Sequence, residues 1–297
     1  MQKTVSPIRL ESVQDMDADK ESDLELDLFL EAIYRKYGYD FRLYSRASMK
    51  RRIKLQMERL KLNNICELIH VVLYNEKEFS DILSQMTVNV TEMFRDPDFY
   101  RAFRSHVVPA LKTHPSLKIW HAGCSTGEEV YSMAILLKEA GLYERCYIYA
   151  TDIDHHALDK AKKGIYDIDE MARYSQNYRD AGGLSSLSDY YTARYDSVIM
   201  DGSLKKNIIF ANHDLVTDRS FAEMQVILCR NVVIYFNNQL QNRVYRLFTD
   251  SLDVSGFLCL GTKESIRFSE SEPFYSVLDE KFRIYCKNKQ NELFDIQ

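Results

Sequence analysis

Two adjacent glutamates, Glu128 and Glu129, follow a glycine-bearing turn in the stretch "KIWHAGCSTGEEVY". The turn ends an apolar strand and the glutamates open a helix, where a dinucleotide would rest its pyrophosphate on the helix N-terminus. The glycine spacing is Gly123–x–x–x–Gly127, however, and not G-x-G-x-x-G. Acids in the first helical turn suit the helix dipole but repel a diphosphate. A ligand with positive charge and no phosphate fits better. S-adenosylmethionine, with its sulfonium and α-ammonium, is such a ligand. Further on, "ATDID" closes the next apolar stretch, and its Asp152 is placed to accept ribose hydroxyls. A plainer alternative is that Glu128 and Glu129 only stabilise the helix start while Asp152 or Asp154 caps the next helix. It weakens when all of them stand in register on successive strands.

These acids need a framework. "LKIWHAG", "CYIYATDID" and "MQVILCRN" are apolar almost throughout, as strands of a parallel sheet covered on both faces are. Between and after them run helical patterns, "EEVYSMAILLKEAGL", "HALDKAKKGIY" and "NQLQNRVYRLFTDSL". The alternation predicts a doubly wound, Rossmann-like α/β domain over residues 111–297, with its ligand at the carboxyl ends of the strands. "KFRIYCKN" is expected to add an antiparallel edge strand. From about 165 to 210 the alternation stops. There "DYYTARYDSVIM", "DGS" and "KKNIIFANHD" read as strand, tight Asp-Gly turn and strand, an inserted small antiparallel β-subdomain.

Residues 26–110 read as an all-helical N-terminal domain with its linker. Leu26, Phe29, Leu30 and Ile33 recur at helical spacing and close on Gly38, and Met49, Ile53, Met57 and Leu60 repeat the pattern. His70 falls on the apolar side of its helix and is expected in the core.

A chain of 297 residues has room for two such domains. No apolar run reaches the 18 or more residues of a membrane span, and the first residues lack the apolar core of a signal peptide, so a cytoplasmic protein is expected. The six cysteines are scattered without a CxxC pair and read as buried thiols, so no metal site is expected. The net charge of −5 argues against nucleic acid as a partner. Charge is uneven along the chain. Residues 1–27 hold eight acids and three bases (−8 + 3 = −5), so 1–25 is expected to be a disordered acidic tail. Residues 42–61 hold eight bases and one acid (+8 − 1 = +7), which points to an anionic docking partner.

"NVTEMFRDPDF", "IWHAGCSTGEEVYSMA", "ATDIDHHAL" and "LCRNVVIYF" occur in the order and context of the chemoreceptor glutamate methyltransferases, and the chain resembles this CheR family over about residues 26–287. The resemblance implies a class I S-adenosylmethionine-dependent methyltransferase domain with a three-stranded β-subdomain, preceded by a helical domain. It implies methyl transfer to glutamate carboxylates on the cytoplasmic helices of methyl-accepting chemotaxis receptors, leaving S-adenosylhomocysteine. By the same resemblance, Asn89, Thr91 and Arg95 would line the cofactor and substrate cleft. Glu129 would meet the methionine end of the cofactor and Asp152 the ribose. Asp214 and Leu215 would flank the adenine, Arg230 and Asn231 would approach the donor, and Tyr235 would sit over the reacting methyl. The basic helix, with Arg46, Lys50, Arg51, Arg52, Lys54 and Arg59, would hold the receptor. The protein is expected to act as a monomer. Departures from the family pattern are Met93 before Phe94, Val130 after the glutamate pair, and Leu55, Gln56 and Glu58 within the basic run.

The chemistry asks little of a base. A glutamate side chain, with a pKa of about 4.3, is already ionised at neutral pH. The enzyme must desolvate and orient a poor nucleophile. An arginine fork can bind one carboxylate oxygen and leave the other to attack, which makes Arg95 the expected orienting group. The Tyr235 hydroxyl is expected to position the carboxylate or crowd the methyl. Two other readings stay open: a same-fold methyltransferase for a different protein or small molecule, and a non-catalytic module that binds S-adenosylmethionine or S-adenosylhomocysteine in signalling.

Overall fold

The computed structural model describes residues 11–87, 90–220 and 223–289, with side chains from residue 23 onward. Two compact units divide between Met86 and Thr87. This division falls before the 110/111 boundary expected above. The reason is the segment 97–111, whose Phe99, Tyr100, Phe103, Val107 and Leu111 belong to the core of the second unit.

The first unit is helical: α1 (Glu11–Tyr37), α2 (Arg46–Leu60), α3 (Ile65–Tyr74) and α4 (Glu76–Met86). The spacing of Leu26, Phe29, Leu30 and Ile33 places all four on one buried stripe of α1. Met49 and Ile53 of α2, Leu68 and Val72 of α3, and Phe79 and Ile82 of α4 meet it in one cluster. Gly38 takes a left-handed φ of 83° and donates to the Tyr34 carbonyl, ending α1. Residues 11–25, expected as a disordered tail, are the first part of α1; residues 1–10 lie outside the described residues. Asp23 and, just beyond this stretch, Asp27 pair with Arg46 of α2, and Asp23 also with Lys50. His70 is exposed and leans on Tyr74 at 4.8 Å, so it is not a core residue. Cys66 is exposed as well, and Cys286 is half-buried; the other four thiols are buried.

The second unit starts with α5 (Pro97–Ala102), a π turn (Phe103–Val107) and α6 (Val108–Leu111). Then follow β1 (Leu117–Ala122), α7 (Glu128–Glu139), β2 (Cys146–Asp152), α8 (His155–Lys163), β3 (Ile165–Asp167) and α9 (Met171–Asp180). The chain continues through β4 (Tyr191–Arg194), β5 (Ser197–Met200), β6 (Ile208–Asn212), β7 (Met224–Cys229), α10 (Asn238–Ser251), β8 (Leu252–Leu260), β9 (Tyr275–Asp279) and β10 (Ile284–Lys287). The main sheet has the order β6-β2-β1-β7-β8-β10-β9. Its first five strands are parallel and the last two antiparallel. The β10 strand is therefore flanked on both sides, and β9 forms the edge. Apolar runs build the buried centre: Ile119 stands beside Ile148 and Val226 in register, and all three are fully buried. Trp120 faces α10, with Phe248 at 5.5 Å, and its indole N–H donates to Thr151 Oγ1 at 2.8 Å.

A separate antiparallel sheet, β3-β5-β4, forms the inserted subdomain. Its hairpin turns at Tyr195 and Asp196, and not at the Asp-Gly pair. Asp201 instead accepts from the Ser203 N–H and starts a short 3-10 turn. The stretch expected as the second hairpin strand becomes β6, the edge of the parallel sheet. Asp-Gly favours a tight turn, but Ile208 and its neighbours pair with β2 through five residues, and that longer ladder prevails.

Candidate active site

The chain runs outward from β1 to β2 and β6, then returns to place β7 on the other side of β1. The reversal makes β1/β7 the switch point of the sheet, where loops diverge and open a crevice at the carboxyl ends. The loop after β1 carries the two glycines, both left-handed at φ 80° and 91°. A side chain at Gly123 would put its Cβ 2.5 Å from Val232 Cγ2, and one at Gly127 would lie 2.8 Å from Ala161 Cβ. Their smallness thus serves packing against the β7 loop and α8. Ser125, between them, is also left-handed at φ 50°.

Adjacent residues at the start of a helix point about 100° apart, and the two glutamates separate accordingly. Glu128 is buried and accepts from Thr126 Oγ1 at 2.6 Å. Burial raises its pKa, partly offset by that hydroxyl. Glu129 turns towards β7, where Arg230 Nη1 donates to its Oε2 at 2.8 Å. The other carboxylate oxygen lies 3.1 Å from Nδ1 of His121, a buried residue of β1. Burial alone would push the Glu129 carboxyl up, but the Arg230 charge and the His121 contact outweigh it and hold it at about 2. Arg230 is itself held through both terminal nitrogens, while its buried Nε has no hydrogen-bond partner among the described residues. Its Nη2 donates to Asp96 Oδ2 at 2.7 Å, and its guanidinium lies 4.1 Å from the centroid of the Phe99 ring. This buried cluster joins the helix after β1, the end of β7 and the segment before α5.

Asp152 ends β2 with its carboxylate at the crevice. Oδ2 accepts from the Ser125 N–H at 2.7 Å and Oδ1 from the Asp154 N–H at 2.9 Å. Burial raises its pKa to about 6, against the pull of those two N–H groups. The Ile153 N–H pulls in the same direction, and a carboxylate has about four acceptor positions, so room remains for a hydroxyl. Asp154 caps α8, accepting from the His156 and Ala157 N–H groups. After β6 the His213 N–H donates to the Asp152 carbonyl, which sets Asp214 and Leu215 next along the same rim. Asp214 accepts from the Val216 N–H, and burial raises its pKa.

Beyond β7, Asn231 is left-handed at φ 61°, and a 3-10 turn over Val233–Tyr235 presents a half-buried Tyr235. On the facing segment, the Phe94 N–H donates to Ser132 Oγ of α7, and the Arg95 carbonyl lies 3.5 Å from Arg230 Nη1. The Arg95 side chain is half-buried and donates through Nη1 to the Val90 carbonyl. Thr91 is half-buried on the same segment. Asn89 lies outside the described residues.

The structure therefore pairs Glu129 with Arg230, sets the Arg95 carbonyl beside that arginine and Asn231 next along the chain, and ties Asp152 to the glycine loop through the Ser125 N–H. Three members escaped the reading of the sequence. Asp96 stands next to Arg95 in "FRDPDF" and His121 just before the glycine loop, so both were near a signal. Glu264 sits in "GTKES" with no pattern around it; only the fold puts it beside the β7 loop.

The six bases expected to dock a receptor all belong to α2 of the helical unit, and they divide. Arg46 pairs with Asp27 at 2.6 Å, Lys50 with Asp23 at 2.9 Å and Arg59 with Glu78 at 2.5 Å. Arg52 is buried and donates to the Met86 carbonyl. Arg51 and Lys54 are exposed and have no ion pair among the described residues.

At neutral pH the crevice carries the ionised carboxylates of Glu129 and Asp152, and its buried cation, Arg230, is already met by two acids. That balance suits a ligand with a sulfonium and an ammonium, and repels a diphosphate. Comparison with known proteins agrees. Residues 24–87 match the all-alpha domain of CheR methyltransferases, and residues 89–282 match their SAM binding domain. A Pseudomonas putida protein named Cher3 is 51% identical over 273 residues, which cover 92% of this chain and all of that protein. A chemotaxis protein methyltransferase of Listeria monocytogenes is 30% identical across 82% of this chain and 92% of its own. One from Salmonella typhimurium is 27% identical across 82% and 84%. The chain belongs to the CheR methyltransferase family, and S-adenosylmethionine is its methyl donor.

Proposed function

We propose that this protein esterifies glutamate side chains on the cytoplasmic helices of chemotaxis receptors. The observation that carries the reading is the Arg95 guanidinium: one N–H is spent on the Val90 carbonyl, and the others have no partner among the described residues. It projects from a segment joined to the Glu129–Arg230 cluster. A fork in that state can bind one oxygen of an incoming carboxylate. The names of the Listeria and Salmonella relatives place those proteins in chemotaxis, and the reading extends this to receptors and to the cytoplasm. No described helix is long and apolar enough to cross a membrane.

S-adenosylmethionine, when bound, supplies a methyl group on a sulfonium. The chain's own residues do the rest. Glu129 and Asp152 hold the donor by charge and by ribose hydroxyls, with Asp214 and Leu215 along the adenine. Arg230 keeps Glu129 ionised and pointed. Arg95 orients the glutamate carboxylate, and Tyr235 limits where it can lie. The substrate enters already ionised, so no proton need move.

The decisive assay incubates the protein with methyl-labelled donor and receptor cytoplasmic fragments, then applies mild alkali. Label released as methanol supports the ester; alkali-stable label rules it out.

Two further expectations follow from the geometry. Double reversal of Arg51 and Lys54 to glutamate is expected to lower kcat/KM on receptor fragments about tenfold, with donor affinity unchanged, since rim charges act mainly on encounter. Equal kcat/KM would remove α2 from docking. The second concerns pH. Donor binding needs Asp152 ionised, so the donor Kd should rise as pH falls through about 6, approaching about tenfold per pH unit below it. Asp152→Asn should bind weakly at all pH values and lose this dependence. A flat wild-type profile between pH 7 and 5 would contradict the ribose role.

A further inference from the structure

Glu264 lies in the loop after β8, 3% exposed, with four backbone N–H groups on its carboxylate. Oε1 accepts from Val232 at 2.8 Å and Ile234 at 3.3 Å; Oε2 accepts from Asn231 at 2.9 Å and Gly261 at 2.6 Å. These partners fill the acceptor positions a carboxylate has. No lysine, arginine or histidine forms an ion pair with it among the described residues. Burying a carboxylate without a paired cation is costly, and here the four N–H groups offset that cost in a way a neutral side chain could not match.

Three of the four donors come from residues 231–234, where the chain leaves β7 and bends into the turn that presents Tyr235. That bend needs Asn231 at φ 61° and leaves consecutive N–H groups pointing inward, away from any strand or helix ladder. One carboxylate collects them. Room for it is provided by Gly261, where a Cβ would stand 2.7 Å from Glu264 Oε2 and 2.9 Å from the Asn231 nitrogen. On its other side, Val232 packs into the space that the missing side chain of Gly123 leaves. The loop is held between the donor-binding turn and the Glu264 carboxylate.

We propose that Glu264 is a positioning residue for methyl transfer, holding residues 231–235 in the shape that places Asn231 and Tyr235 at the crevice. The proposal rests on the roles given above to those two residues. Glutamine is the discriminating replacement: it keeps length and volume, but its NH2 faces two N–H donors and only its oxygen can accept. Aspartate keeps both acceptors but is one methylene short.

The test uses the full chain as wild type, Glu264→Gln and Glu264→Asp. Receptor-fragment kinetics, S-adenosylhomocysteine calorimetry and amide hydrogen exchange over residues 231–234 are measured on each. Glu264→Gln is expected to lose about 10²-fold in kcat, as a misplaced reacting group does. Its ligand Kd should move less than about tenfold, and exchange at 231–234 should quicken. Glu264→Asp should recover part of the kcat. A lowered melting temperature with kcat and exchange unchanged in the folded enzyme would overturn the proposal, leaving Glu264 a packing residue. If wild type methylates no receptor, the receptor reading fails, while exchange and ligand affinity still judge Glu264. Should neither variant fold, exchange in the wild type decides: protection of the Asn231, Val232 and Ile234 amides equal to that of β7 sustains the proposal, and exchange as fast as in the exposed 217–220 stretch overturns it.

Discussion

Arg230→Met is expected to destabilise the second unit by about 3–5 kcal/mol, because it strands the Glu129 carboxylate in a buried site without its cation. Methionine keeps most of the volume against Phe99, so the loss reports charge and hydrogen bonding more than a cavity. The chain's single tryptophan, Trp120, is buried in the main sheet and gives a fluorescence probe for this unit alone. Urea titration should show an earlier midpoint with the slope preserved. Adding Glu129→Gln to Arg230→Met should recover part of the loss, because contacting residues are not additive. A midpoint change worth less than about 1 kcal/mol would mean that the cluster is solvated and not structural. The pH dependence has a definite sign. Glu129 is held at about 2, below the ordinary glutamate value of about 4.3. Its contribution is therefore complete above about pH 4.3 and fades as the pH falls towards 2. In Arg230→Met that acid loss should vanish, since burial then favours the protonated carboxyl.

Arg95→Ala should leave stability nearly untouched yet reduce kcat by roughly 10²–10³-fold, the usual loss when one preorganised donor is removed. Among the described residues the side chain bonds only the Val90 carbonyl, so little of the fold depends on it. Arg95→Lys retains the charge but not the planar fork and should fall between wild type and alanine. Donor affinity, measured with S-adenosylhomocysteine, should change less than about tenfold in both. If donor affinity falls as steeply as kcat, Arg95 grips the cofactor and does not orient the carboxylate.

Much of the framework could be read from residue order because its cause is local. Strands buried on both faces must be apolar throughout, and β1, β2 and β7 show it. Helices that bury one stripe must repeat at helical spacing, and α1 and α2 do. The charge logic of the glutamate pair was legible for the same reason, since a helix start is a local event. What escaped reading depends on partners distant in sequence. The Asp201–Gly202 turn lost to a ladder between β6 and β2, and Asp23, at the end of the acidic stretch, found its bases in α2. Segment 97–111 joined the second unit because its aromatic residues complete that core. Glu264 is the extreme case, a single acid whose four partners are peptide groups, which leave no mark on composition.

The crevice is bordered by four non-glycine residues in the left-handed region: Phe94, Asp96, Ser125 and Asn231. Each such backbone costs about 1–2 kcal/mol, with asparagine at the low end, so together they amount to several kcal/mol. A whole domain is stable by only about 5–15 kcal/mol. The site is thus a loaded spring that the parallel sheet and the Glu129–Arg230 cluster keep compressed. Core substitutions far from any ligand should relax it before they unfold anything, and donor affinity should fade while the strands and helices still stand.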